Sequence, residues 1–298
     1  MRNVFYTAPL LFLYSSFVVI YYMPYINING KITDADSYSI ITKNNAFKYG
    51  YGLYETMLVK NRSIKLFEFH WERLLNGLDI LKISLPSYFN KQKIENDILS
   101  LVDKNKLSIL CRVRLQIFNT GDGIFTSFDN HTGILIECFT LEGTIIKLNE
   151  NGLQIGIAEG LFKANDSLSN LKTCNSLIYA MAAKYAKINK WNDALILNSK
   201  GNIIESVIAN IFWVKDKQIF TPPLSEGCIA GVMRRYIIEN MPNVIEKQLL
   251  KEELVAADEI FLTNAIKGIK YVSNFENIIY NSQIGKKIYN EIVYKLYC

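Results

Sequence analysis

Two segments about thirty residues apart hold side chains that could do chemistry together. Leu171-Lys172-Thr173-Cys174-Asn175 places a lysine at the start of a helix-like run, and Gly201 to Phe212 places Glu205 among Ile203, Ile204, Val207 and Ile208 on an otherwise apolar hairpin strand. A partly desolvated lysine amine can be neutral near pH 7, attack a carbonyl and carry protons. A carboxylate on an apolar strand either faces water or holds a specific cationic partner, such as a protonated ring nitrogen. Taken singly, each residue reads as a solvated surface group; together they suggest a site.

Other residues read as anion ligands. Arg73 lies in Glu68-Phe69-His70-Trp71-Glu72-Arg73-Leu74, and the residues three and four away are Phe69, His70, Asn76 and Gly77. None is a carboxylate, so no ion pair within the helix is on offer, and a guanidinium matches phosphate geometry. Gly227 to Arg234 is a glycine-punctuated loop entering a helix, whose free backbone N–H groups favour anions. Thr263-Asn264-Ala265 ends a strand and could present a hydroxyl and N–H groups to the same anion. Arg112 and Arg114 flank Val113 and project from one strand face. They need a substrate carboxylate or a structural ion pair, and both remain open.

The elements that would position these groups follow from patterning. Leu53–Val59 and Ser63–Phe67 read as strands around a turn at Lys60-Asn61-Arg62. A helix is expected from about Glu68, with its apolar positions Trp71, Leu74, Leu75, Leu78 and Leu81 at the 3.6 period, and Lys91–Val102 is a second amphipathic helix. Ser108–Asn119 and Gly133–Phe139 alternate as strands around Gly121-Asp122-Gly123. The pattern weakens over residues 141–149, read as a linker between domain 23–140 and domain 150–298. Beyond it, Leu153–Ala158, Ala194–Leu197, Asn202–Val214, Gln218–Thr221 and Glu259–Thr263 read as strands. Helices are expected after Lys172, with Leu177, Ile178, Met181 and Tyr185 on one face, near Gly231, over Lys251–Ala257 and from Ile284. Strands with segregated helices predict two α+β domains.

Composition narrows the class. The chain has 298 residues, half of them hydrophobic, enough for a sizeable core. Its net charge of +5 is dispersed, without the dense Lys/Arg block of a nucleic-acid binder. The 5 cysteines contain no C-x-x-C pair and the 2 histidines cannot build a usual metal cluster. The expectation is a cytoplasmic protein with no metal and no membrane attachment. Residues 1–22 are a hydrophobic extension. Met23 reads as the true start, and a signal or anchor is the alternative. An intact mass of the native protein that includes Met1 would overturn that reading.

In this order, the segments resemble the fold type IV pyridoxal phosphate enzymes, a family that holds branched-chain and D-amino acid aminotransferases and 4-amino-4-deoxychorismate lyase. The resemblance runs from Met23 to about Val272. It is carried by Asn45 to Thr56, His70 to Leu74, Lys172 to Asn175, Glu205 to Phe212, Thr221 to Leu224, Gly231 to Arg234 and Ala257 to Ala265. It implies a small N-terminal α/β sandwich, a larger C-terminal α+β domain and a homodimer. It also implies a small amino substrate bearing a carboxylate, with pyridoxal 5'-phosphate as cofactor.

The resemblance assigns roles. Lys172 matches the Schiff-base lysine, Glu205 the partner of the pyridine nitrogen and Arg73 the phosphate arginine. Val232 and Met233 match a loop whose backbone binds phosphate, and Thr263 and Asn264 match a second phosphate-side loop. Asn210 falls among the cofactor-side residues, Thr56 resembles a lyase active-site position, and Tyr49, Tyr54, Arg112 and Arg114 fall on the substrate side. The run Glu205 to Trp213, Met233 and Asn264-Ala265 look more like the lyase. Tyr49 and Arg114 match positions that branched-chain transaminases use. Tyr51 departs from the aspartate common in its segment.

Overall fold

The computed structural model describes residues 23–39, 44–121 and 131–297. The readings of residues 1–22 and of Asp122-Gly123 lie outside the described residues. Alternation in the N-terminal half builds a six-stranded sheet, antiparallel throughout. Its strands are β1 (Tyr25–Ile28), β2 (Lys31–Asp34), β3 (Gly52–Lys60), β4 (Ser63–Ile64), β5 (Leu110–Asn119) and β6 (Thr132–Thr140), in the order β2-β1-β6-β5-β3-β4. A short helix α1 (Asn45–Tyr49) precedes β3, and α2 (Phe67–Ile80) and α3 (Lys91–Lys104) follow β4.

The period of two decides what each face of this sheet does. Leu53, Met57 and Val59 of β3 and Cys111, Val113, Leu115 and Ile117 of β5 enter one core with Leu74 and Leu78 of α2 and Ile94, Ile98 and Leu101 of α3. The alternate residues point the other way. Leu58 joins a core built from the C-terminal half, and Tyr54, Thr56, Arg112 and Arg114 share its side of the sheet. The register places Thr56 opposite Arg114 and Leu58 opposite Arg112.

The second sheet has nine strands: β7 (Leu153–Lys163), β8 (Asp193–Asn198), β9 (Ile203–Ser206), β10 (Asn210–Lys215), β11 (Gln218–Thr221), β12 (Val244–Glu246), β13 (Glu259–Asn264), β14 (Gly268–Phe275) and β15 (Ile278–Ile279). Its helices are α4 (Leu177–Ile188), α5 (Val232–Asn240), α6 (Lys251–Val255), α7 (Gln283–Ile288) and α8 (Tyr294–Tyr297). Strand β9 pairs with β8 on one side and, through Glu205 and Asn210, with β10 on the other. The path β10-β13-β14-β7-β8-β9 therefore closes on itself. Phe212 and Phe261 stack at 5.0 Å between ring centres, and neither is exposed. Phe261→Ala is expected to cost about 3–5 kcal/mol in equilibrium urea unfolding.

Strand β14 was not read from the sequence; Lys270, near its start, is of a residue type common on surfaces. It is instead buried, with its ammonium on the carbonyl of Lys147. The segment read as a linker is not loose. Residues 143–146 form a 3₁₀ turn, Ile146 is buried in the second core, and Asn149 exchanges two hydrogen bonds with the backbone of Tyr271. Helix α4 turns its small residues, Ala182 and Ala186, to the sheet and leaves Leu177 and Met181 exposed. Alanines allow the close approach to β7 and β8, while Ile178 and Tyr185 of the expected stripe pack part-buried against the same core.

Candidate active site

Lys172 does not open a helix. The Tyr54 N–H donates to the Lys172 carbonyl at 3.0 Å, and the Cys174 N–H donates to the Gly52 carbonyl at 2.8 Å. The lysine thus lies in an extended stretch bonded to the start of β3, and α4 begins at Leu177. Gly50 makes this docking possible. It takes φ 68°, and a Cβ there would lie 3.1 Å from the Asn175 backbone. The Lys172 ammonium lies 4.3 Å from the Tyr54 ring centre, and the Arg114 guanidinium carbon 3.9 Å from it. Burial alone would raise the Tyr54 phenol. Lys172, Arg114 and a hydrogen bond with Ser176 outweigh it and hold it below its usual range.

Glu205 is 2% exposed and accepts from three donors among the described residues. Its Oε1 accepts from Lys163 Nζ at 2.6 Å and from the Tyr179 hydroxyl at 2.8 Å, and its Oε2 accepts from the Ile229 N–H at 2.9 Å. A carboxylate offers about four acceptor positions, so one on Oε2 remains. Lys163 and Tyr179 escaped the sequence reading. Both are residues of common surface types, brought to Glu205 by the parallel pairing of β7 with β8 and by α4 lying across it.

The anion end gathers Arg73, Asn210, Thr263 and the start of α5. Arg73 holds Glu55 through Nε (2.8 Å) and Nη2 (2.5 Å) and donates from Nη1 to the Ala230 carbonyl at 3.0 Å. Helix α5 begins after Gly231 without a side-chain cap, so the N–H groups of Val232 and Met233 have no partner within the helix. Gly231 is required by proximity: a Cβ there would sit 1.8 Å from Asn210 Oδ1. The Asn210 side chain donates to the Ile229 carbonyl at 2.9 Å, holding this loop. The Thr263 hydroxyl is buried and has no partner among the described residues. Asn264 caps its own turn, accepting from the N–H groups of Ile266 and Lys267. Gly231→Ala is expected to push Asn210 off Ile229 and weaken cofactor binding about 10-fold, measured by titrating the stripped protein.

These residues line one cavity of about 470 Å³. Tyr54, Thr56, Arg112 and Arg114 come from the first sheet, Arg73 from α2, and Lys172, Glu205, Asn210, Val232, Met233, Thr263 and Asn264 from the second half. Tyr49 is the exception. It ends α1, ahead of the Gly50 turn, and lines a neighbouring cavity of about 610 Å³, which shares Tyr54 and Tyr179 with the first. Arg112 stacks on Phe139 at 4.3 Å, and its buried Nε lacks a hydrogen-bond partner among the described residues. Tyr51, lacking an assigned role, donates its hydroxyl to the Leu81 carbonyl at 2.6 Å and ties β3 to the end of α2.

Burial by itself would raise the Glu55 carboxyl, but Arg73 and His70 outweigh it and hold it at about 2, below its ordinary 4.5. The depressed folded-state value means that Glu55 stabilises the fold above pH 4.5, and that this contribution is lost as pH falls toward 2. Urea unfolding at pH 5 and pH 3 should show a steeper acid loss for the wild-type chain than for Glu55→Gln.

The model of the amino-transferase class IV family matches residues 52–275. The chain belongs to this family. Its members work with pyridoxal phosphate, and the cavity suits that cofactor: a lysine for the aldehyde, a carboxylate with one acceptor position left, and a cationic end with an unpartnered hydroxyl. The chain is 29% identical over 279 residues to an aminodeoxychorismate lyase of Bacillus subtilis, covering 88% of this chain and 90% of that one. It is 27% identical over 234 residues to the aminodeoxychorismate lyase of Vibrio harveyi, covering 77% and 85%. Its fold is that of the branched-chain amino acid aminotransferase from Escherichia coli, with a TM-score of 0.79 at 22% identity over 89% of this chain and 92% of that one. No helix among the described residues is long and apolar enough to cross a membrane.

Proposed function

We propose that the chain is a pyridoxal-phosphate-dependent 4-amino-4-deoxychorismate lyase, forming 4-aminobenzoate and pyruvate for folate biosynthesis in the cytoplasm. The observation that supports it most is the pair Arg112 and Arg114 on the cavity face of β5, where the buried Arg112 Nε lacks a partner among the described residues. The substrate carries two carboxylates, and two guanidinium groups apart from Arg73 suit them; Arg114 also faces Glu137 at 3.9 Å and donates to Gln116 at 3.1 Å, which leaves it further N–H groups. The likeness to two lyases over most of their length supports the same reading.

Lys172 would hold the cofactor, and Glu205 would accept from its ring nitrogen through the remaining Oε2 position. Arg73, the N–H groups of Val232 and Met233, the Thr263 hydroxyl and the Asn264 turn would hold its phosphate, with Asn210 keeping the loop in place. When bound, the cofactor supplies an electron-withdrawing ring that takes up the pair left at the substrate's amine-bearing carbon. The free amine of Lys172 would remove the proton from that carbon. The C–O bond to the three-carbon side chain then breaks and the six-membered ring becomes aromatic, with no oxidant needed. Lys172 returns a proton to the released fragment, giving pyruvate. Thr56, opposite Arg114 in the register, lines the same cavity as Lys172.

The rival is a branched-chain or D-amino acid aminotransferase using 2-oxoglutarate, favoured by Arg114, which touches Tyr54 beside Lys172. A paired assay on cofactor-loaded protein separates the two. One arm supplies 4-amino-4-deoxychorismate made in situ and follows 4-aminobenzoate and pyruvate. The other supplies L-leucine, L-valine or D-alanine with 2-oxoglutarate and follows glutamate. Glutamate formation without 4-aminobenzoate overturns the lyase.

The working unit is a homodimer. Phe47, Phe162, Leu168, Leu177 and Met181 are all exposed. Phe162 and Leu168 line the 610 Å³ cavity, and α4 supplies Ile178 and Tyr179 to it. Leu177→Asp combined with Met181→Asp is expected to halve the solution mass in light scattering; an unchanged dimer would place the contact elsewhere.

A further inference from the structure

Behind the cavity, Glu55 sits on β3 between Tyr54 and Thr56 but points to the opposite side. It is buried, against His70 and Arg73 of α2. Its Oε2 accepts from His70 Nδ1 at 2.6 Å as well as from Arg73 Nη2, and its Oε1 accepts from Arg73 Nε. Burial keeps His70 below its ordinary range, opposed in part by Glu55. At neutral pH His70 is therefore a neutral donor through Nδ1–H to a charged Glu55.

The guanidinium of Arg73 has five N–H groups. Among the described residues, Glu55 takes two of them and the Ala230 carbonyl takes one, which leaves one on Nη1 and one on Nη2. Two parallel bonds to one carboxylate hold the guanidinium in a single plane. Ala230 directly precedes Gly231, the residue before α5, so the same arginine ties the plane of its own head group to the loop that presents the Val232 and Met233 N–H groups. A second tie runs alongside: Arg235 of α5 meets Glu72 of α2 at 2.5 Å and lies 4.6 Å over the Phe69 ring.

We propose that Glu55, braced by His70, is a positioning residue for the cofactor's phosphate. By holding Arg73 in one plane against Ala230, it aims the two remaining N–H groups into the anion end of the cavity. The inference rests on the reading of Arg73 as a phosphate ligand.

The test compares pyridoxal phosphate with pyridoxal, which has the same ring and aldehyde without the phosphate. Cofactor-stripped full-length protein is titrated with each, following absorbance as the aldehyde couples to Lys172. The wild-type chain prefers the phosphate form. Glu55→Gln is expected to raise the Kd for pyridoxal phosphate about 10-fold or more while moving that for pyridoxal less than about 3-fold. A preference unchanged from wild type, or equal weakening of both ligands, overturns the proposal, since a general loosening of the fold would not single out the phosphate. Arg73→Ala is the reference. If it abolishes the preference and Glu55→Gln leaves it intact, Arg73 binds phosphate without help from Glu55. If Arg73→Ala itself leaves the preference intact, the phosphate reading of Arg73 falls. Should Glu55→Gln not accumulate as folded protein, Glu55→Asp carries the same comparison, because its shorter arm cannot hold Arg73 and His70 together.

Discussion

Replacing Lys172 with Ala should reduce turnover by about 10³-fold or more in the paired assay, because one amine both holds the cofactor and moves the proton. Lys172→Arg should fail equally: it keeps the positive charge but cannot serve as a neutral amine near pH 7. Stability should change by less than about 1 kcal/mol, since Lys172 is only half-buried and its ammonium lies against the edge of an open cavity. What holds this segment on β3 is backbone, the Tyr54 and Cys174 hydrogen bonds, and neither substitution removes them. Activity near wild type in Lys172→Ala would refute the central assignment.

Glu205→Gln should produce the second-largest loss, about 10²-fold in kcat, and should differ from Lys172→Ala in also damaging the fold. The amide cannot balance the ammonium of Lys163, whose side chain is 11% exposed. Removing one partner of a buried ion pair costs about 3–5 kcal/mol, so urea unfolding of the stripped protein should show a clear drop. A stripped Glu205→Gln chain as stable as wild type would mean that Lys163 reaches water instead. Restoring neutrality with Lys163→Met in the same chain should return much of the stability and none of the turnover.

The elements were legible where one physical signal dominated. The amphipathic period of α2 and α3, the alternation of β5 and β6 and the glycine entry to α5 all read directly, because side-chain burial imposes those periods. Strand β14 was not legible, because its lysine is satisfied by a carbonyl 123 residues away in sequence. The start of α4 was misplaced for a similar reason. Nothing in Lys172-Thr173-Cys174 forbids a helix, and only the edge of β3 draws that stretch into extended pairing.

For the site, residue types and their order were enough to nominate Lys172, Arg73 and Glu205 and to place the chain with the class IV enzymes. Chemical capacity is local: an amine, a guanidinium and a carboxylate announce what each can do. Which groups meet was decided by the tertiary structure. The pairing of β7 with β8 and of β8 with β9, with α4 lying across them, brings Lys163 and Tyr179 onto the Glu205 carboxylate. The two-residue period of β3 sends Glu55 behind the cavity while Tyr54 and Thr56 face it. The left-handed turn at Gly50 leaves Tyr49 on the neighbouring cavity. Each outcome depends on contacts between residues far apart in the chain, whose cost and gain appear only once the sheets have formed.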